Sequence, residues 1–373
     1  MQLIEEAGVL SVLLQRLRTE PLLAVDTEAA SFHRHRDRVY LVQLSTRSET
    51  WLIDPLSVAG LTGFGELLAD PGIEFVFHDA DYDLRLLGLE FDVRVTRLFD
   101  TRVAAQFLNE PAIGLAALLH KYLGVQMDKQ YQRADWSVRP LTPPMLRYAA
   151  MDTAHLPALR DILHAKLRER GRLSWVEEEC ELLTRVRWPE PELPAVQALS
   201  VKGTSTFSPR SLAIFRELYV WRARMAESLD RAAFRIVGNE ALLAMATAPP
   251  RDLAGLSRIR GVGRELVARN GPELLAAIRK AEALAETDLP RRARPPRHRP
   301  DPLYEKRLER LKDLRVQLAA KFELAPGLLC PNWLLESIAR AAPVDETSLT
   351  QVPGIRRWQL EQFGGDLIGA LHK

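Results

Sequence analysis

Cysteine is nearly missing from this chain of 373 residues: there are two, Cys180 and Cys330, far apart and in no paired motif. That spacing excludes a disulfide framework and offers no zinc site, so both are read as buried thiols. Long apolar runs are missing as well, and no stretch is long enough to span a bilayer. The N-terminal MQLIEEAGVLSVLLQRL meets two glutamates before any basic residue, unlike the charged start of a signal peptide. A cytoplasmic protein with no membrane partner is the expectation. A large charge of one sign is also absent, since the formal net charge is +2. The balance hides an asymmetry: residues 1–200 sum to −7 and residues 201–373 to +9. An acidic half suits a site that holds cations, and a basic half suits a polyanion such as nucleic acid. What is present, 47% hydrophobic and 27% charged residues, is the make-up of ordinary globular domains, and the length allows two or three of them.

Three β-rich segments come first, LLAVDTEA (22–29), VYLVQLST (39–46) and ETWLIDP (49–55). Short polar turns separate them, which predicts an antiparallel meander. A helix-like run near VAGLTGFGELLAD follows, then the strand EFVFH (74–78), the helix DYDLRLLGL, the short strand RLFD (97–100) and the helix TRVAAQFL. The order βββαβα predicts one mixed sheet with helices on its faces. Helical periodicity continues through IGLAALLHKYLG and PPMLRYAAMDTAHLPALRDILHAKLRERG.

Two breaks interrupt the pattern. Residues 186–208 lose periodicity and gather Pro, Ser and Thr, and residues 288–302, DLPRRARPPRHRPDP, carry five prolines and five arginines. Arg291, Arg292, Arg294, Arg297 and Arg299 in the second break could add non-specific phosphate affinity or serve as a solvated spacer. The segments flanking this break repeat each other at an offset of 93 residues without gaps: LSRIRGVGRELVARNGPELL (256–275) aligns with LTQVPGIRRWQLEQFGGDLI (349–368). Gly261 meets Gly354 and Gly271 meets Gly364; upstream, Leu218 meets Leu311, Met225 meets Leu318, Leu229 meets Phe322 and Asn239 meets Asn332. The repeat implies a duplicated helical unit of roughly 70 to 80 residues. Domains are expected at 1–190, 205–286 and 302–373.

Asp26 and Glu28 are at i and i+2 in the first strand and so share a face. Adjacent carboxylates repel unless something positive lies between them, and a divalent cation with oxygen ligands is the usual resolution. For one D-x-E alone, a solvated strand end with its acids facing water is the favoured account. Asp83 falls three and four residues before Leu86 and Leu87, on the apolar stripe of its helix, where an unpaired acid is costly. Its neighbours Asp79 and Asp81 suit the helix start, Asp100 suits an N-cap, and His78 a satisfied structural histidine. In TPPMLRYAAMDTAHL, Thr142 can cap a helix with Pro143 in its first turn, which puts Tyr148 and Asp152 on one face. Asp26, Glu28, Asp83 and Asp152, with Tyr148 beside the last, make a candidate two-metal site for an in-line displacement at phosphorus.

The motifs VDTE (25–28), HDADYDL (78–84) and YAAMD (148–152) resemble those of the DEDD family of 3′-to-5′ exonucleases. A tyrosine four residues before the last aspartate is similar to the tyrosine subclass; the histidine subclass would have its histidine where Arg147 stands. DWSVRPLTPPMLRYAAMD (135–152), together with helical repeats similar to HRDC domains, narrows the resemblance to the ribonuclease D group. That resemblance implies an α/β ribonuclease H-like exonuclease domain followed by two small all-α HRDC-like domains. It implies metal ligation by Asp26, Glu28, Asp83 and Asp152, two divalent ions (Mg²⁺ or Mn²⁺), and Tyr148 orienting the attacking water. The implied reaction is hydrolysis of RNA 3′ ends to nucleoside 5′-monophosphates, with 3′-extended tRNA precursors as substrate for a monomeric enzyme. Arg356 in the second repeat, where the first has Gly263, puts a common ligand for both repeats in doubt.

For substrate contacts, Lys129, Gln130, Trp136 and Arg139 lie between the second and third motifs and could meet phosphate or stack on a base; a core role for Trp136 is equally open. Two alternatives stand beside the exoribonuclease: a DNA 3′-to-5′ exonuclease, since readout of the 2′-hydroxyl depends on pocket geometry, and a non-catalytic nucleic-acid adaptor, against which the intact acid set argues.

Overall fold

The apolar run that begins at Leu22 becomes an inner strand of a six-stranded mixed sheet. We describe the protein from a computed structural model, which covers residues 1–58, 61–128, 130–291 and 301–372. The chain divides into two compact units, one of Met1–Ala29, Val39–Trp188 and His298–Lys373, the other of Ala30–Arg38 and Pro189–Arg297.

In the first unit the strands are β1 (Gln2–Ile4), β2 (Leu22–Ala29), β3 (Val39–Ser45), β4 (Thr50–Ile53), β5 (Glu74–Phe77) and β6 (Leu98–Asp100), in the spatial order β1-β4-β3-β2-β5-β6. β2, β3 and β4 form the expected antiparallel meander, and β5 and β6 add to it in parallel. β1 was not anticipated, because three residues are too few for alternation to register; it pairs in parallel with β4. Leu22 to Val25 are buried because helices cover both faces of the sheet. These are α1 (Ala7–Leu17), α2 (Thr62–Leu68), α3 (Asp81–Phe91), α4 (Thr101–Phe107), α5 (Leu115–Leu123), α6 (Pro143–Ala154), α7 (Leu156–Glu169) and α8 (Leu173–Leu183). Local chemistry starts two of them as the sequence predicts. Asp100 accepts from the backbone N–H groups of Arg102 and Val103 at the start of α4, and Thr142 accepts from Met145 at the start of α6, with Pro143 in its first turn.

The second unit is helical: α9 (Pro194–Ser200), α10 (Pro209–Ser228), α11 (Ala233–Ile236), α12 (Asn239–Thr247), α13 (Leu253–Ser257) and α14 (Arg264–Glu282). α9 lies in the stretch that reads as a linker. Pro194 opens it, and buried Ala198 joins the core with Phe215 and Leu218, so one apolar contact face suffices to order seven residues. The remaining helices, α15 (Pro302–Phe322), α16 (Pro326–Leu329), α17 (Asn332–Ala341), α18 (Glu346–Thr350) and α19 (Arg357–His372), belong to the first unit.

The duplication extends to its hydrogen bonds. Arg222 donates to the Val237 carbonyl (3.0 Å) and to Asn239 Oδ1 (2.8 Å), and 93 residues on Arg315 donates to the Cys330 carbonyl (2.9 Å) and Asn332 Oδ1 (2.8 Å). Asp252 caps α13 as Asp345 caps α18, and Gly261 and Gly354 both take a positive φ, +87° and +85°, which only glycine adopts without strain. Within the first unit the second repeat shares a core with α4 and α8: Trp358 stacks on Trp175 (centroids 4.8 Å apart, 17° between planes) and meets Phe107 edge-on at 5.4 Å. Cys180 and Cys330 are buried free thiols, as expected. Among the described residues no helix is long and apolar enough to cross a membrane.

Candidate active site

Asp26 and Glu28 leave β2 on the face covered by α6, whose Thr153 hydroxyl lies 2.8 Å from that of Ser45 on β3. Asp152 precedes Thr153 on α6 and so reaches the same end of β2. One carboxylate oxygen from each of Asp26, Glu28 and Asp152 lies within 4.8 Å of the others. Asp83 arrives from α3 on the opposite face; it is buried and accepts a hydrogen bond from the Thr27 hydroxyl. Three of the four acids singled out in the sequence thus converge in one cluster, and the fourth stands beside it with its charge felt by all three.

The electrostatics are one-sided. Burial raises Asp26 and Glu28 well above the ordinary carboxylate range, and the charges that act on them, all from acids of the cluster, raise them further. Asp83 is pushed up to about 7 by burial, against the Thr27 hydrogen bond that lowers it. Asp152 is pushed up to about 7 by burial and then by the charge of Asp83. Tyr148 is raised by burial, then by Asp152, Glu28 and Asp26, and so keeps its proton. Its ring is fixed by Tyr131 (centroids 5.9 Å apart) and Trp136 (6.2 Å). An all-oxygen, all-anionic donor set of this kind fits hard divalent cations such as Mg²⁺ or Mn²⁺.

The cluster opens into a cleft of about 410 Å³ whose walls also include His78, Asp79, Met127, Asp128, Gln132 and the first turn of α5, Gly114 to Ala117. The α5 turn was not anticipated as part of the site. Gly114 offers no side-chain cap, so the amide end of that helix faces the cleft uncapped.

The residues read as structural take structural places. Asp81 pairs with Arg85 (2.7 Å), Asp79 pairs with Arg102, and His78 Nδ1 lies 2.9 Å from the Thr101 hydroxyl while burial lowers its pKa to about 4. Asp100 takes four backbone N–H groups, from Asp79, Ala80, Arg102 and Val103. The candidate substrate contacts fare differently from the expectation. Trp136 is only 1% exposed and packs behind Tyr148, so it has no face for a base. Arg139 donates from Nε to Asp54 (2.5 Å) and from Nη2 to the Tyr40 carbonyl (2.7 Å) and Asp54 (3.0 Å), which leaves its guanidinium tying the loop to β3 and to the end of β4. These contacts hold Asp54 below the usual carboxylate range although burial opposes them. Gln130 is exposed, and Lys129 lies outside the described residues, as do Arg292, Arg294, Arg297 and Arg299 of the arginine-rich break.

Residues 1–168 match the 3′-5′ exonuclease family, and residues 211–278 and 305–371 each match the HRDC domain. Ribonuclease D of Granulibacter bethesdensis is 33% identical over 98% of this chain and 91% of its own length. The chain belongs to the ribonuclease D family. Ribonuclease D of Pseudomonas paraeruginosa is 30% identical over all of this chain and 97% of its own. The crystal structure of Escherichia coli RNase D, an exoribonuclease involved in structured RNA processing, superimposes with a TM-score of 0.73 at 27% identity, covering 99% of this chain and 98% of that one. The two HRDC matches fall on the two copies of the helical unit repeated at an offset of 93 residues, and the family's exonuclease match spans the whole acid cluster.

Proposed function

We propose that the cleft hydrolyses RNA from its 3′ end, one nucleotide at a time, to nucleoside 5′-monophosphates, and that 3′-extended tRNA precursors in the cytoplasm are its substrates. One observation carries this reading: Asp26, Glu28 and Asp152 converge within 4.8 Å at a cleft, and the charges that act on them come from other acids. A polyanion is repelled by such a site unless cations are bound there. Membership of the ribonuclease D family supports RNA over DNA as the polymer.

Asp26, Glu28 and Asp152 would hold two divalent cations, with Asp83 completing the set. When bound, such ions supply an activated water and stabilise charge at phosphorus and on the leaving oxygen. The chain's own groups do the rest. The Tyr148 phenol, protonated and beside Asp152, donates a hydrogen bond that orients the attacking water. The amide end of α5 suits a phosphate oxygen of the substrate entering the cleft. Trp136, behind Tyr148, keeps the phenol in place.

The test is a 5′-labelled RNA with a tRNA-like 3′ extension, incubated with the full chain in Mg²⁺ or Mn²⁺ beside a matched DNA. A ladder shortening stepwise from the 3′ end, with 5′-monophosphates released and chelator abolishing it, is expected. Internal cuts, undiminished cleavage in chelator, or preference for the DNA would overturn the reading.

A further inference from the structure

Gln43 lies in the middle of β3, is 0% exposed, and neither its Nε2 nor its Oε1 has a hydrogen-bond partner among the described residues. A side-chain amide carries two donors and an acceptor, and burying all of them unpaired is costly enough that native cores rarely do it. The surroundings narrow what the amide can serve. Directly across from Gln43 are Asp26 on β2 and Leu52 on β4. Residues directly opposite in an antiparallel pair point to the same face with Cβ atoms about 4.5–5.5 Å apart.

The diagonal neighbours on that face are Ala24 and Glu28 on β2, and Thr50 and Asp54 on the β4 side, where the buried Asp54 carboxylate is already taken by Arg139 Nε and Nη2 and by the Leu56 N–H. Ala24 and Leu52 have no polar side-chain atom. The Thr50 hydroxyl is engaged with Ser45 at 2.8 Å, and Ser45 is engaged again with Thr153 at 2.8 Å. Helix α6 packs against β2, β3 and β4. Among the side chains of the paired strands this leaves the carboxylates of Asp26, directly opposite, and Glu28, on the diagonal.

We propose that Gln43 is a positioning residue for the acid cluster: its amide, unpartnered among the described residues, donates to the Asp26 carboxylate when a divalent cation is held there and fixes the orientation in which that carboxylate takes the cation. The inference rests on the metal-site reading of Asp26, Glu28 and Asp152. A carboxylate has about four lone-pair sites on two oxygens, and a cation uses only part of them. The sites that face β3 are on the Gln43 side, so the strand paired with the ligand's own carries the support. Because the amide sits on a strand and not a loop, it gives the carboxylate little room to turn.

Two substitutions in the full chain test this. Gln43→Met keeps the length of the side chain and removes the amide; Gln43→Asn keeps the amide and withdraws it by one methylene. Mn²⁺ affinity, read by titration calorimetry, is expected to fall about tenfold in both, the usual effect of losing a ligand's hydrogen-bond partner. The unfolding midpoint of Gln43→Met in chelator is expected at or above that of the unsubstituted chain, because an unpaired buried amide has been removed. Mn²⁺ affinity within twofold of the unsubstituted chain in both variants overturns the proposal, and a lowered midpoint in chelator alongside that unchanged affinity makes Gln43 a core residue only. If Gln43→Met does not fold, the Gln43→Asn titration decides alone. An unsubstituted chain that binds no Mn²⁺ overturns the metal-site reading itself and takes this proposal with it, an outcome distinct from unchanged affinity in the variants.

Discussion

Two groups of acids lie in the same unit, and they differ in what faces them. Glu178 and Glu179 on α8 meet donors at every turn. Glu179 accepts from Arg356 Nε (2.9 Å) and Nη2 (3.2 Å) and from the Trp358 indole (3.1 Å); Glu178 accepts the backbone N–H groups of Arg357 (2.7 Å) and Trp358 (3.0 Å) at the start of α19. Asp26, Glu28 and Asp152 meet mainly one another. Acids that find donors within the chain are part of its fold, as Glu178 is when it stands at the positive end of a helix. Acids that mainly face one another are a site that something from outside completes. The same contrast accounts for Arg356, which departs from Gly263 of the first repeat: in the second copy this corner is engaged with α8.

The contrast breaks most visibly if the two groups are neutralised in turn. Asp26→Asn or Asp152→Asn should lower RNA cleavage by about a thousandfold or more, the several kcal/mol that such a metal site supplies, while circular dichroism stays native. Activity within tenfold of the unsubstituted chain would remove the acids from the chemistry. Tyr148→Phe should lower kcat about ten- to a hundredfold with little change in KM, since the phenol acts on the water and not on RNA binding. A change confined to KM would place Tyr148 against the substrate instead.

Arg356→Ala should do the reverse of Asp26→Asn. It is expected to cost about 1–3 kcal/mol of stability, the worth of charge-assisted hydrogen bonds in a partly buried place, and to leave cleavage at 25 °C unchanged. Thermal melts and the RNA ladder, run on the same preparation, check both halves of that statement.

A further expected effect is in pH. An acid whose folded-state pKa is raised holds its proton more tightly folded than unfolded, so it favours the fold at low pH and ceases to as pH rises from near its ordinary value through the raised one. For Asp83 and Asp152 the window runs from about 4 to about 7. In chelator the melting temperature should therefore fall between pH 5 and pH 8, and Mn²⁺ should restore it at pH 8. A chelated protein that grows more stable over that range would mean that the acids are compensated after all.

Much of this was legible in the sequence wherever one segment carries its own reason. The D-x-E of β2 has a strand period, the caps Asp100 and Thr142 stand directly before their helices, and the helical unit repeated at an offset of 93 residues aligns without gaps. What was not legible depends on partners far along the chain. Arg139 reads as a substrate contact until Asp54, 85 residues away, is seen to hold it. Trp136 turns inward and packs against Tyr148, 12 residues on. Asp83 was placed by its apolar stripe, but only the fold brings Thr27, 56 residues away, to its carboxylate. Gln43 carries no motif at all, and its interest arises from register alone, since it stands across from Asp26.

The most direct measurement is the thermal unfolding of Asp26→Asn/Asp152→Asn beside the unsubstituted chain, at pH 8, in chelator and in Mn²⁺. If the cluster is a set of uncompensated acids that a cation completes, the double variant melts above the unsubstituted chain in chelator and gains nothing from Mn²⁺, whereas the unsubstituted chain gains several degrees. A double variant that melts lower in chelator, or that Mn²⁺ stabilises as fully, would contradict the account.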